Sequence, residues 1–159
     1  MKLSEKEILL LEYIKENLFL IEKSKLRLEQ SFHNCVKFSV NDNLGDEEYE
    51  NFEILTSRFA RTSDILTQKI FKTFFKINGE EVTTFIDKAN FIEKIGLVED
   101  AGQLISIRNL RNNITHDYEI ENIINNFKQI LISTPILIEL IKKTKSYFNE
   151  KLFDGKLFE

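Results

Sequence analysis

The sequence has few of the residues that build tight turns and covalent or metal cross-links. Its 159 residues include five glycines, one proline, one cysteine and no tryptophan. Because β-sandwiches, barrels and glycine-rich nucleotide loops need many turn residues, this scarcity argues against them and favours long helices. The single cysteine, Cys35, excludes an internal disulfide framework and a multi-cysteine zinc or iron–sulfur site, and it suits a reducing compartment.

The chain also has no large excess of charge and no long apolar run. It carries 22 Lys and Arg against 26 Asp and Glu, so its surface as a whole is not that of a nucleic-acid-binding protein, although a local basic groove is allowed. The most apolar stretch, residues 130–141, is interrupted by polar residues and a proline, and it is shorter than the roughly 20 residues of a membrane span. The N-terminus has acidic residues within its apolar stretch and no signal-peptide cleavage site. We therefore expect a cytoplasmic protein with no membrane segment.

The length and the hydrophobic fraction of 42% are enough for one domain with its own core. The chain has no repeat of architectural length, and the short echo KLFDGKLFE at its end is too brief to be one. We therefore expect residues 1–159 to form a single helical domain, with residues 153–159 as a flexible tail.

Two long helices are predicted in the first half of the chain. Ser4 and Glu7 have the spacing of a capping box, and apolar residues follow at near-heptad spacing as far as Cys35. Turn-forming residues at 41–45 then reverse the chain, and the helical period resumes from residue 46 to about residue 77. The two helices are long enough to lie antiparallel.

Shorter helices are predicted in the second half. The first runs from a cap at Thr83 or Thr84 to Ile95, and the second from Glu99 or Asp100 into the segment after Leu110. Two more follow, one over 119–132 and one over 135 to about 152. Gly96 ends the first of them, and Thr134 as N-cap with Pro135 at the first helical position starts the last. The predicted fold is therefore an all-α antiparallel bundle of two long helices and three or four shorter ones.

Polar and ionisable side chains are concentrated in residues 111–118, Arg-Asn-Asn-Ile-Thr-His-Asp-Tyr. At about 100° per residue, an apolar stripe and a polar flank run side by side along the helix that enters this segment. The stripe consists of Leu104, Ile107, Leu110 and Ile114, and the flank of Arg108, Arg111, Asn112 and His116. Asn112 lies four residues before His116, where its amide can fix the orientation of the imidazole.

This flank contains the groups needed to cleave RNA without a metal. A neutral imidazole can take a proton from a ribose 2′-hydroxyl, and a guanidinium can stabilise the charge that develops on phosphorus. Arg111 and His116 are therefore the candidate catalytic residues, with Asn112 orienting and Arg108 as a phosphate contact. The sequence shows no metal-ligand spacing and no glycosidase-like pair of carboxylates, so we expect no metal and no cofactor.

Arg111 and His116 are five residues apart, which is about 140° around an ideal helix. They converge on one small ligand only across a cleft wall, near a frayed helix end or with help from a second chain. A symmetric dimer would supply that second chain and place two Arg and two His side chains around one groove.

In these residues the sequence resembles the HEPN superfamily, whose ribonucleases carry an Arg, four to six residues and then a His late in a helical bundle. Arg111 and His116 match with four residues between them, and Asn112 matches a common form of the motif. His116, Asp117 and Tyr118 match the His-x-Tyr ending of the toxins in HEPN/MNT toxin–antitoxin pairs.

The resemblance implies a HEPN-like fold and a homodimer with the Arg and His of both subunits in a shared cleft. It implies a metal-independent endoribonuclease toxin that cleaves RNA. It also implies a partner, an antitoxin of the minimal nucleotidyltransferase (MNT) type that transfers AMP to Tyr118. The added phosphate would lie beside Arg111 and His116 and obstruct RNA.

Two other interpretations stay open at this point. Similar chains occur as the non-catalytic helical substrate-binding subunit of two-component nucleotidyltransferases, which would bind a nucleotide or the partner enzyme without cleaving RNA. A helical interaction protein would use its apolar faces for assembly, and Arg111 and His116 would then be replaceable.

Overall fold

The computed structural model of the chain describes residues 2–41, 43–79, 84–116 and 119–158. Within these ranges the regular structure is entirely helical, which confirms the predicted all-α class. The elements are α1 (Glu5–Cys35), α2 (Asp46–Asp64), a π-helical segment (Ile65–Phe71), α3 (Lys72–Ile77), α4 (Phe85–Lys94), α5 (Ala101–His116) and α6 (Ile120–Phe153).

The first two long helices are antiparallel, as predicted. The capping box is present at the start of α1, where the Ser4 hydroxyl accepts from the Glu7 amide and the Glu7 carboxylate accepts from the Ser4 amide. The hydroxyls of Ser24 and Thr62 lie 2.6 Å apart, and Arg58 donates to the hydroxyl of Ser31 at 2.7 Å. Because the residue number falls on one helix as it rises on the other, the helices run in opposite directions.

The second long helix contains a π-helical segment that the apolar spacing did not predict. It joins α2 to α3 without a break, because the residues at both junctions keep right-handed helical backbone angles. Its inner side chains, Ile65, Leu66, Ile70 and Phe71, are buried. A wider helical turn changes the directions of the side chains around it, and such turns are frequent at functional sites. We call the continuous unit from Asp46 to Ile77 the α2–α3 helix.

The prediction of two separate helices over 119–132 and 135–152 is wrong. One continuous helix, α6, runs from Ile120 to Phe153 with Pro135 in its interior, so the bundle has three long helices. Thr134 is buried and its hydroxyl donates to the carbonyl of Ile130 at 2.6 Å, so it does not act as an N-cap. None of the helices in the described ranges is long and apolar enough to span a membrane.

Specific caps position the short helices that support α5. The Thr84 hydroxyl accepts from the Asp87 amide at the start of α4, which decides between the two predicted caps; Thr83 lies outside the described residues. Gly96 ends α4 with a φ of 82°. Its amide and that of Leu97 bond back to carbonyls of the last turn, the arrangement for which glycine is favoured. Asp100 then accepts from the amide of Gly102 in the first turn of α5.

The core lies between α1, the α2–α3 helix and α6, and aromatic rings occupy much of it. Phe52 stacks on Phe127 with ring centroids 5.1 Å apart, and Phe74 lies 4.8 Å from Phe148. Cys35 is fully buried, and burial raises the pKa of its thiol to about 11. The cysteine is therefore a packing residue of the core and a poor nucleophile.

Residues 154–158 of the segment predicted as a flexible tail fold back on α1 and α6. After Phe153 the chain reverses at Asp154, whose φ is 50°, and the Leu157 amide donates to the side chain of Asn149 at 2.8 Å. Phe158 packs edge-on against Phe19 of α1 with centroids 5.2 Å apart. The ammonium nitrogen of Lys145 on α6 lies 4.3 Å from the centroid of the Phe158 ring, within the range of a cation–π contact.

Candidate functional site

The candidate site is built on α5, whose apolar stripe fixes its orientation. Leu104, Ile107 and Leu110 are buried and Ile114 is half-buried, as the spacing predicted. The stripe packs α5 against α2, α4 and α6. The polar flank therefore faces outward beside the α2–α3 helix.

Arg111 forms a two-pronged ion pair with Asp64 of α2. Its Nε donates to Asp64 Oδ1 at 2.6 Å, and a terminal nitrogen donates to Asp64 Oδ2 at 2.8 Å. The other terminal nitrogen donates to the hydroxyl of Thr115, one turn further along α5. The hydrogen bonds that Arg111 donates to Asp64 raise the pKa of Arg111 above its already high value, so the guanidinium is charged at any physiological pH.

This pairing leaves part of the guanidinium available. A guanidinium has five N–H donors; among the described residues Asp64 and Thr115 use three of them, and two have no partner there. The Arg111 side chain is about 29% exposed and that of Asp64 about 36%. Arg111 is thus held in one orientation with two donors directed away from its protein partners.

A cleft of about 210 Å³ lies beside this ion pair, between α5 and the α2–α3 helix. It is lined by Ser63, Asp64, Thr67, Gln68, Arg108, Arg111 and Asn112. A second cavity of about 230 Å³ shares Thr67, Gln68 and Arg108 with it and adds the ammonium groups of Lys72 and Lys88. We call the two together the α5 cleft. Four cationic side chains and one carboxylate line it, which favours an anionic ligand.

Arg108 is held at the junction of the two cavities. Its guanidinium carbon lies 4.4 Å from the centroid of the Phe85 ring at the start of α4, within the range of a cation–π contact. Because stacking on a ring leaves the edges of the guanidinium open, Arg108 retains donors for a phosphate. This is consistent with the role that the sequence predicts for it.

His116 is not among the side chains that the described structure brings into the α5 cleft. His116 is the last residue of α5, is exposed, and is not among the side chains that line the α5 cleft. Tyr118, the predicted acceptor of AMP, lies outside the described residues. The structure therefore brings together Arg111, Asn112 and Arg108 and leaves His116 at the end of the same helix.

The basic residues of the α2–α3 helix divide between two surfaces. Lys72 lines the α5 cleft, and together with Lys76 it lines a further cavity beside α1. Arg58 and Arg61 face α1, where Arg58 donates to the carbonyl of Arg27 at 2.9 Å. They therefore do not form one continuous row beside α5.

Asp64 is the site residue that sequence reasoning missed. It is 47 positions from Arg111, and its only local signal is that it is an acidic residue within a basic stretch. The contact of Arg111 with Thr115 was predictable from the sequence, because side chains four residues apart on a helix are neighbours. Among the described residues, no group of three His, Cys, Asp or Glu side chains is arranged to hold a metal ion.

Comparison with known protein families, with curated proteins and with solved structures finds no match to this chain. The residues of the α5 cleft and the spacing of Arg111 and His116 are therefore the evidence on the function of this chain.

Proposed function

We propose that the chain is a metal-independent endoribonuclease that acts as the toxin of a toxin–antitoxin pair of the HEPN/MNT kind. The observation that carries the proposal is Arg111, which Asp64 fixes at a basic cleft with two N–H donors to spare. A guanidinium in this state matches the geometry of a phosphate, with which Arg forms bidentate contacts. Asn112 and Arg108 lie in the same cleft and supply further donors.

The proposed reaction is attack of a ribose 2′-oxygen on the adjacent phosphorus. His116 takes the 2′-hydroxyl proton as the new oxygen–phosphorus bond forms. The bond from phosphorus to the 5′-oxygen breaks, and that oxygen takes a proton from a second imidazolium or from water. The products are a 2′,3′-cyclic phosphate and a free 5′-hydroxyl. Arg111 stabilises the negative charge that develops on the non-bridging oxygens.

A homodimer is part of the proposal, because one chain does not direct Arg111 and His116 to one point. Arg111 turns towards Asp64 on α2, whereas His116 ends α5 outside the cleft. A two-fold axis near the end of α5 would bring the His116 of one copy towards the Arg111 of the other. The silencing partner in this proposal is an MNT antitoxin that adenylylates Tyr118.

A second candidate function is favoured by the position of His116. Because the α5 cleft lacks His116, its donors suffice to bind a nucleotide phosphate but not to transfer a proton within one chain. The alternative is a non-catalytic subunit that holds a nucleotide for a nucleotidyltransferase partner. It predicts binding of the partner without RNA cleavage.

The test is cleavage of total cellular RNA by the purified protein in EDTA, with intact mass recorded to exclude a modified Tyr118. We expect the wild type to cleave and both His116→Ala and Arg111→Ala to lose cleavage. His33→Ala is the matched control, since His33 is also exposed near a helix end, on α1, and its ring hydrogen-bonds to the carbonyl of Glu29. Equal cleavage by His116→Ala and wild type would contradict the catalytic assignment. Absence of cleavage by unmodified wild type would favour the binding subunit.

A further inference from the structure

A second basic groove lies between the α2–α3 helix and α1. Its first cavity, of about 220 Å³, is lined by Leu20, Lys23, Ser24, Arg27, Arg58, Arg61 and Ile65. Its second cavity, of about 320 Å³, is lined by Leu10, Tyr13, Gln68, Lys72, Thr73 and Lys76. We call these two cavities the α1 groove.

The two cavities lie along one line. Tyr13, Leu20 and Arg27 are spaced seven residues apart, so they fall within about 40° on one face of α1. The antiparallel α2–α3 helix supplies the opposite wall, with Arg58 and Arg61 beside Arg27 and with Lys72 beside Tyr13. The two cavities therefore follow one another along the interface between α1 and the α2–α3 helix.

The four cations of the first cavity have no acidic partner among the residues that the structure describes. In the described ranges no carboxylate lies within ion-pair distance of Lys23, Arg27, Arg58 or Arg61. Arg58 is anchored by one nitrogen to the Arg27 carbonyl and the Ser31 hydroxyl, and its remaining donors make no hydrogen bond to another described residue. In a chain with a net charge of -4, four uncompensated cations around one cavity indicate an anionic ligand.

The second cavity adds an aromatic ring to this charge. Tyr13 is 41% exposed and lines the same cavity as Lys72. Cationic grooves with exposed aromatic rings bind single-stranded nucleic acids, because the cations contact the phosphates and the bases stack on the rings. An acidic protein would use the cations but would not need the ring.

We propose that the α1 groove binds single-stranded RNA, with Lys23, Arg27, Arg58 and Arg61 contacting phosphates and Tyr13 stacking on a base. The inference extends the proposed function, since a strand held here can continue to the α5 cleft. Gln68 lines both the α1 groove and the α5 cleft and marks where the two meet. The groove is thus a docking surface for substrate, separate from the candidate catalytic residues.

The test measures binding and does not depend on cleavage. A fluorescein-labelled single-stranded RNA of about 12 nucleotides is titrated by anisotropy in EDTA, in a His116→Ala background, over a series of salt concentrations. Replacing Arg27 and Arg61 together by Ala removes two exposed cations and spares Arg58, which anchors the helices. We expect the slope of log affinity against log salt to become shallower by about 1.4, since each lost phosphate contact on a single strand accounts for about 0.7.

Matched controls separate position from total charge. Replacing Lys142 and Lys151 together by Ala removes the same charge from exposed positions of α6 and should leave the slope unchanged. Tyr13→Ala should weaken binding about tenfold, and Tyr13→Phe, which keeps the ring, should bind as the parent does.

Three results would overturn the inference: no binding of RNA, equal slopes for the Arg27/Arg61 and Lys142/Lys151 variants, or competition by polyglutamate as effective as that by unlabelled RNA. The last result would indicate an acidic protein as the ligand. The inference and the proposed function can fail separately. If the protein never cleaves RNA but the groove variants lose RNA binding, the inference holds and the proposed function fails. If the protein cleaves RNA and the groove variants have no effect on binding, the proposed function holds and the inference fails.

Discussion

At the scale of single residues, the ion pair between Arg111 and Asp64 is the feature that gives the candidate site its geometry. An arginine side chain has about 2 kcal/mol of rotamer entropy, which is lost when a ligand orders it. Asp64 orders Arg111 through two hydrogen bonds before any ligand arrives. Asp64 is therefore a positioning residue, because it acts on the substrate only through Arg111.

We expect Asp64→Ala to lower RNA cleavage by about 10- to 100-fold, because misplacement of a catalytic group by about 1 Å has effects of that order. The stability should fall by less than about 1 kcal/mol, since the pair is partly exposed and water screens it. Cleavage rates and urea unfolding of the same samples measure the two effects.

A double-mutant cycle shows whether Asp64 acts through Arg111. In an Arg111→Ala background, Asp64→Ala should have no further effect on the residual rate of cleavage that Arg111→Ala leaves. Additive losses in the cycle would show that Asp64 has a role independent of Arg111.

The sequence predicts the parts of the site that depend on one helix and misses those that depend on two. The burial of Leu104, Ile107 and Leu110 and the outward position of Arg108 follow from 3.6 residues per turn. The partnership of Arg111 with Asp64 depends on the register between α5 and α2, which no local pattern encodes. That register is set by core packing across 47 positions of sequence.

At the scale of elements, core packing along α6 outweighs a local sequence signal for the start of a new helix. Thr134 before Pro135 is the pattern of a helix start, yet both residues lie inside one helix. The inward faces of both halves, including Ile130, Leu137, Leu140 and Ile141, are buried in one core, which favours a continuous helix. Pro135 has no N–H for the carbonyl of Leu131, so the continuity has a cost.

We expect Pro135→Ala to stabilise the protein by about 1 to 3 kcal/mol, because it restores a helical N–H and removes the clash of the proline ring with the preceding turn. The midpoint of urea or thermal unfolding measures the effect. Lys142→Ala, at another exposed position of α6, serves as control and should change stability by less than about 0.5 kcal/mol. Destabilisation by Pro135→Ala would mean that the bundle requires the proline at this point.

At the scale of the whole molecule, a charged cluster joins the first helix to the last. Glu22 of α1 lies 3.1 Å from Lys25 on the same helix and 3.2 Å from Lys145 of α6. Lys25 is only 7% exposed, so the carboxylate compensates a nearly buried ammonium. Burial acts to raise the pKa of Glu22, but the two lysines lower it by more, and the net pKa lies below the ordinary 4.5.

The lowered pKa makes the contribution of Glu22 dependent on pH. Because the unfolded chain takes up the proton at a higher pH than the folded chain does, the cluster stabilises the fold fully above about pH 4.5 and less as the pH falls through the folded pKa. We expect Glu22→Gln to lower stability by about 1 to 2 kcal/mol at pH 7, with the difference from wild type shrinking below pH 4.5. Urea unfolding of the wild type and of Glu22→Gln at pH 7 and at pH 3.5 measures this difference in stability. A difference that is the same at the two pH values would contradict the stabilising role of the ionised Glu22 carboxylate.

The proposed dimer makes its own prediction, because each cleavage site would take Arg111 from one copy and His116 from the other. Arg111→Ala and His116→Ala homodimers should each be inactive, but mixing them after brief unfolding should restore activity. Half of the mixed dimers are heterodimers, and each has one intact site of two, so about a quarter of the wild-type rate is expected. Mixing without unfolding is the control, since subunits that do not exchange stay inactive. If each site used Arg111 and His116 of the same chain, no mixture would contain an intact site and no activity would return.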